Sequence, residues 1–183
     1  MQAPDRSDQV LSEQHARAWL RKMGFDPDGD LCSPQPSKRN PEVVSTAMYE
    51  ACAAGELDIC FWLVGHGAAK TLRTSSSSGA TPMFIACQEG HLEVAKWLLE
   101  VGGAEDVRTP NSNGATPMYA ACQEGRLEVA KWLLEVVGGV EVVQTPASDG
   151  ATPMYAACQE GHLEIAQWLL LNGAANNPGT MHV

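Results

Sequence analysis

Gly79 to Leu99 reads GATPMFIACQEGHLEVAKWLL. The stretch returns as Gly114 to Leu134, GATPMYAACQEGRLEVAKWLL, matching at 18 of 21 positions. It returns again as Gly150 to Leu170, GATPMYAACQEGHLEIAQWLL, matching the second copy at 18 of 21. A worn copy lies upstream, where Val44 to Val64 (VSTAMYEACAAGELDICFWLV) keeps 8 of the 21 residues. Trp62, Trp97, Trp132 and Trp168 mark the period, spaced 35, 35 and 36 residues apart. A fixed period of this size means stacked supersecondary units.

Each copy encodes two short antiparallel helices. Thr81 supplies an N-cap oxygen, and the N–H that Pro82 lacks is not needed at the first helical position. That helix must stop by Gly90, which suits a left-handed residue after the C-cap. A second helix is expected from about Leu92 to Val101. In it Glu93, Lys96 and Glu100 form one polar stripe, while Val94, Ala95, Trp97, Leu98 and Leu99 are apolar, so most of its circumference is buried. A pair this short cannot bury its own apolar surface and is stable only with neighbours on both sides.

Gly79, Thr81, Pro82, Met83, Ala86, Gly90, His91, Val94, Leu98, Leu99 and Gly102 together resemble the ankyrin repeat motif, over about residues 44 to 175. A tetratricopeptide array has a similar period but needs longer helices than Pro82 to Gly90 allows. There are departures from the motif. Its usual His after Thr-Pro-Leu is Tyr49, Phe84, Tyr119 and Tyr155, and its Leu is always Met. The usual period of about 33 is exceeded between Gly102 and Gly114 and in the equivalent segments. Those segments correspond to the family's β-hairpin fingers, so longer fingers are expected. The resemblance implies an all-α chain: an ankyrin-like α-solenoid of four helix-turn-helix repeats with long hairpin fingers. The repeats span about 44–78, 79–113, 114–149 and 150–183.

Residues 1–43 are read as an N-terminal capping helix and a Pro-rich linker. Residues 8 to 23 suit an amphipathic helix, with Val10, Leu11, Ala18, Trp19 and Met23 facing inward and Arg17, Arg21 and Lys22 facing solvent. Asp26, Asp28 and Asp30 alternate as in a calcium loop, but such a loop needs Gly and Glu where Leu31 and Ser37 stand, so a turn is the better account. Residues 32 to 41 (CSPQPSKRNP) should be a linker or an irregular finger. Leu72, Val107 and Val143 are expected to anchor the finger bases, leaving Arg73, Arg108 and Gln144 exposed. The serine run 75–78 should make the first finger the most mobile.

The 183 residues carry a formal net charge of −10. Residues 1 to 44 hold seven acidic and six basic groups, and the rest hold fifteen and six, so the array carries −9 of the total. A surface this acidic repels phosphate and disfavours nucleic acid, while suiting a basic partner. MQAPDRSDQV has no apolar core of signal-peptide length, and no 18-residue apolar run exists, so neither secretion nor membrane spanning is expected.

Cys52, Cys87, Cys122 and Cys158 hold one position per repeat. Stacked helices lie about 8–10 Å apart, whereas a disulfide needs Cα atoms within about 7 Å, so the ladder reads as unbridged packing. Free thiols imply a reducing, intracellular compartment, the cytoplasm first, with the nucleus left open. His91 and His162 share a position filled elsewhere by Glu56 and Arg126, which points to a helix-junction role. No cofactor, metal or catalytic signature is expected, and an enzyme is not. Met181-His182-Val183 has the ending of some PDZ-domain ligands, on three residues alone.

The expected function is a protein–protein interaction scaffold. The resemblance implies binding through finger tips and the concave face lined by first helices. By position, that face holds Ala53, Ala54, Gln88, Glu89, Gln123, Glu124, Gln159 and Glu160, with Ser78, Asn113 and Asp149 at the tips. Two alternatives stand beside it: the targeting portion of a larger regulator, or a recent duplication with no dedicated ligand. The last repeat keeps Leu163, Ile165, Trp168, Leu169 and Leu170 and adds Leu171, so the expectation is either self-association through this end or a fragment whose missing repeats cover it, unless the tail caps the stack.

Overall fold

A computed structural model describes residues 6–102 and 105–173, with side chains from residue 13 onward. It begins with a helix, Arg6–Met23 (α1), and a two-residue antiparallel ladder between Gln35–Pro36 (β1) and Val44–Ser45 (β2). Helix pairs follow: Ala47–Ala54 (α2) with Leu57–Gly65 (α3), Pro82–Glu89 (α4) with Leu92–Gly102 (α5), and Pro117–Gln123 (α6) with Leu127–Val137 (α7). A one-turn helix, Glu141–Gln144 (α8), precedes the last pair, Pro153–Gln159 (α9) and Leu163–Leu171 (α10). The chain is an all-α solenoid.

The first helix of each pair starts where the sequence placed it. Thr46, Thr81, Thr116 and Thr152 are extended, and their hydroxyls accept from the N–H of Tyr49, Phe84, Tyr119 and Tyr155 at 3.3, 3.1, 3.2 and 3.2 Å. The helix C-cap is, or stands one residue before, a glycine in the left-handed region. At Gly55 φ is +76°, and a Cβ there would lie 2.5 Å from the His91 ring of the next repeat. At Gly90 φ is +87°, and a Cβ would meet the Arg126 Cδ at 2.8 Å.

That close approach lets each junction residue reach the repeat before it. His91 donates to the Ala53 carbonyl (3.2 Å), Arg126 to that of Gln88 (3.1 Å) and His162 to that of Gln123 (2.9 Å). These carbonyls sit near first-helix ends, where no intrahelical donor remains. The histidines therefore hold junctions, as expected.

Helices α2, α4, α6 and α9 stack in order as an inner layer, each with its partner behind it. One continuous core runs from Ala16 to Leu169. Trp62, Trp97 and Trp132 are 8%, 7% and 8% exposed, and Phe61 meets Trp97 edge to face at 5.3 Å.

Helix α1 packs on α3, as a second helix would on its neighbour. Its inner face differs from the expected one. Ala16, Trp19 and Leu20 are buried with Met23 half-buried, whereas Ala18 is exposed. The buried set follows i, i+3, i+4, i+7, which puts Ala18 on the opposite side. The side chains of Val10 and Leu11 lie outside the described residues. Arg21 and Lys22 are exposed, while Arg17 is half-buried and bonded to Glu13 at 3.1 Å and Asp28 at 2.5 Å.

The Asp26–Asp30 turn spends its carboxylates locally. Asp26 accepts from the Asp28 N–H, and Asp30 from the Cys32 N–H and Ser33 hydroxyl. Hydrogen bonds from Arg17 and Ser33 hold Asp28 and Asp30, respectively, below the usual carboxylate range. Residues 32 to 41 behave as a finger: Ser37 is buried and its N–H donates to the Val43 carbonyl at 2.7 Å.

The fingers correct one expectation. Their tips are tight turns, closed by Ser76 to Ala80, Asn111 to Ala115 and Ala147 to Ala151 hydrogen bonds. The extra residues coil into a helical turn at the base, at Ala68–Arg73, Asp106–Arg108 and Glu141–Gln144, instead of lengthening the hairpin. Val107 and Val143 are buried there and Leu72 is half-buried. The polar residues beside them are not idle. Arg73 bonds Asp106 at 2.9 Å, Arg108 the Val137 carbonyl at 2.8 Å, and Gln144 the Gly173 carbonyl at 2.6 Å. The serine run is tied as well, with Ser76 buried and the Ser77 N–H donating to Val44. Residues 174–183, which include Met181-His182-Val183, lie outside the described residues.

Candidate protein-binding groove

Finger tips and inner helices enclose two neighbouring cavities. The first, about 440 Å³, is lined from the N-terminal finger (Ser37, Arg39, Asn40), α2 (Tyr49, Glu50, Ala53), the Ser78 tip and α4 (Ile85, Gln88, Glu89). The second, about 430 Å³, runs from Phe84 and Gln88 past the tips at Asn113 and Asp149 to Tyr119 and Gln123 on α6. Tips are fixed relative to one another by backbone bonds: the Ser112 N–H donates to Ser78 at 3.0 Å and the Ser148 N–H to Asn113 at 2.9 Å. A rigid row of tips facing a rigid row of helices can present side chains to a partner without reordering itself.

The repeat signature, its caps and its finger ladder now stand together with a direct comparison. A family model described as "Ankyrin repeats (3 copies)" matches residues 31–111 and 103–179. The chain belongs to the ankyrin-repeat family. Ankyrin repeats are generally protein–protein interaction modules, typically without enzymatic activity. The first ankyrin match begins inside the segment read as a linker, consistent with the finger seen there. Among curated proteins, no relative matches.

Seven of the eleven expected contact residues line the two cavities: Ala53, Ser78, Gln88, Glu89, Asn113, Gln123 and Asp149. Ala54, Glu124, Gln159 and Glu160 do not line them, although the last three are exposed. Ala53 is buried and offers little surface, its carbonyl being taken by Arg39 and His91. The glutamate ladder is also uneven. Glu89 is paired with Arg39 at 3.3 Å, so its charge is partly answered within the chain.

Sequence reasoning missed the aromatic row. Tyr49, Phe84 and Tyr119 line the cavities from one position of successive first helices. Burial raises the pKa of the Tyr49 hydroxyl, with the Glu50 and Glu89 charges adding to the rise. Burial likewise raises that of Tyr119, followed by the charges of Asp149, Tyr155 and Glu160. The signal was present as the motif's missing histidine, but only the stacked fingers turn that position toward a groove.

The cysteine ladder is unbridged, and all six thiols are free. Burial raises Cys52 well above its ordinary value, raises Cys87, and pushes Cys122 up to about 12. Buried thiols of this kind are not nucleophiles at neutral pH. One pairing escaped the sequence: Cys52 Sγ lies 3.8 Å from Cys60 Sγ of the second helix. Among the described residues no three His, Cys, Asp or Glu side chains form a metal-holding group. No described helix is long and apolar enough to cross a membrane.

Proposed function

We propose that the chain is an interaction scaffold that holds an extended segment of a protein partner along the groove between its finger tips and inner helices. The observation that carries this reading is the pair of adjoining cavities, lined by aromatic and amide side chains on an already rigid frame. Ser78, Asn113, Asp149, Gln88 and Gln123 are the contact residues, with half-buried Tyr119 as an apolar anchor and Tyr49 and Phe84 largely covered behind the wall. Glu124 and Glu160 at the rim steer a basic partner by long-range attraction. Free thiols favour a reducing, intracellular setting.

Affinity capture with the whole chain as bait, followed by mass spectrometry, tests this. One reproducible partner should be recovered, and its capture should weaken between about 0.15 M and 0.5 M salt. A chain with Asn113→Ala, Gln123→Ala and Asp149→Ala should fold yet lose that partner. Retention by the triple variant would move the site elsewhere.

A second reading is favoured by a specific surface. Tyr155, Leu163, Leu170 and Leu171 are all more than half exposed at the last repeat, and exposed apolar surface of this kind can mark association. Light scattering at micromolar concentration should then give more than the monomer mass. A clean monomer that binds no hydrophobic dye would sink it.

A further inference from the structure

Glu50 breaks the pattern of its position. The other repeats carry Ile85, Ala120 and Ala156 there, so the repeat itself has no need of a carboxylate. Yet Glu50 is 1% exposed. Its Oε1 accepts from the Ser45 hydroxyl at 2.5 Å, and its buried Oε2 has no partner. The arginine on the same cavity is already committed, since Arg39 bonds Glu89 and the Ala53 carbonyl. A buried carboxylate with an unanswered oxygen is strongly unfavourable unless something supplies the missing charge and donor. Glu50 also lines the first cavity of the groove.

We propose that this cavity receives a lysine side chain of the bound partner, its ammonium pairing with Glu50. The inference rests on the groove reading and names the chemistry of one subsite within it. Lysine is favoured over arginine because Ser45 already bonds Oε1, so only Oε2 is without a partner and a fork across both oxygens would have to share Oε1. A point cation needs one acceptor, whereas a guanidinium fork matches two. The Tyr49 ring sits on the same cavity and offers an apolar wall for the lysine stem, while Glu89 is paired with Arg39. Oε2 has almost no open surface, so this subsite requires a side-chain shift at the cavity wall while the backbone frame stays in place.

The test uses the whole chain with 13C-labelled glutamate, the Glu50 signal being assigned by its loss in Glu50→Gln. The probe is n-butylammonium chloride, with n-butanol and n-butylguanidinium as comparisons. A saturable shift of the Glu50 carboxylate with butylammonium, absent with butanol, is expected. The accompanying shift at the Tyr49 ring should vanish in Glu50→Gln. No saturable shift, an equal response to butanol, or tighter binding of butylguanidinium would overturn the assignment.

A second variant guards against a structural explanation. Glu50→Ile with Ser45→Ala installs the residues found at positions 85 and 80, leaves no buried hydroxyl without an acceptor, and should raise Tm by a few degrees because it removes a buried, half-answered carboxylate. A fall in Tm would make Glu50 a structural member of the fold and overturn the proposal. Failure here is separable from failure of the groove. If the captured partner is kept by Glu50→Gln and the titration is silent, the subsite is wrong and the groove stands. If nothing is captured by the parent chain, the groove reading fails while the titration still decides the cavity.

Discussion

The first and last repeats share a tyrosine, a cysteine and a leucine at corresponding positions and put them to different use. Tyr49 is 8% exposed and its counterpart Tyr155 is 54% exposed. Cys52 is buried and Cys158 is exposed. Leu57 is half-buried whereas Leu163 is 71% exposed. The first repeat has α1 and the N-terminal finger against one side and the second repeat against the other. The last has a described neighbour on one side only. A residue of this array is core or surface according to what stands beside it, as contacts restricted to adjacent repeats require.

The tryptophans offer the largest expected effects with which to break this comparison. Trp132, buried between two neighbours, should lose about 3–5 kcal/mol on replacement by Ala. Trp168, half-buried in the last repeat, should lose clearly less, and urea titrations of the two variants decide it. Trp19 sharpens the point. Its place in a capping helix suggests a small loss, yet at 9% exposure it is as buried as the internal tryptophans, so its loss should approach theirs. Equal losses at Trp132 and Trp168 would contradict the idea that neighbours set the burial.

Alkaline pH reads the same gradient through the thiols. Below about pH 9 Cys122 is protonated both folded and unfolded, so its contribution is constant. Above the ordinary value of 9.0 the unfolded chain ionises while burial keeps the folded thiol protonated up to about 12. Stability should therefore fall across that window, by up to about 1.4 kcal/mol per pH unit for each such thiol. Cys122→Ala should remove one thiol's share of the slope. An unchanged slope would mean that Cys122 is not buried as described.

What could be read from the residues alone were the features written into every copy. The Thr cap and Gly stop placed the first helices to within a residue, because caps are local chemistry. The junction role of His91 and His162 was legible because Arg126 could replace them. Features that depend on a neighbour's geometry were not legible. Ala18 was placed inward and proves exposed, since α1 carries no repeat signature to set its register. Arg73, Arg108 and Gln144 looked like solvent-facing polar residues, but each reaches a partner about thirty residues on, across an inter-repeat seam. Of the groove, the tips and amides were anticipated. Glu50, Arg39 and the aromatic row were not, because they face it only once the fingers are stacked.

The smallest effect on stability is expected at the exposed end. Leu163→Gln with Leu171→Gln should leave the urea midpoint nearly unchanged, within about 0.5 kcal/mol. The same pair should reduce hydrophobic dye binding. A large destabilisation would mean that these leucines are packed.

The thiol ladder gives the most direct reading, since one chemical group is repeated at one position through all four repeats. Native-state labelling with iodoacetamide, followed site by site by mass spectrometry, reports whether each is core or surface. Cys158 should label at close to the rate of an exposed thiol, while Cys52, Cys87 and Cys122 stay protected by orders of magnitude. Equal labelling of the four would show that burial does not depend on neighbouring repeats.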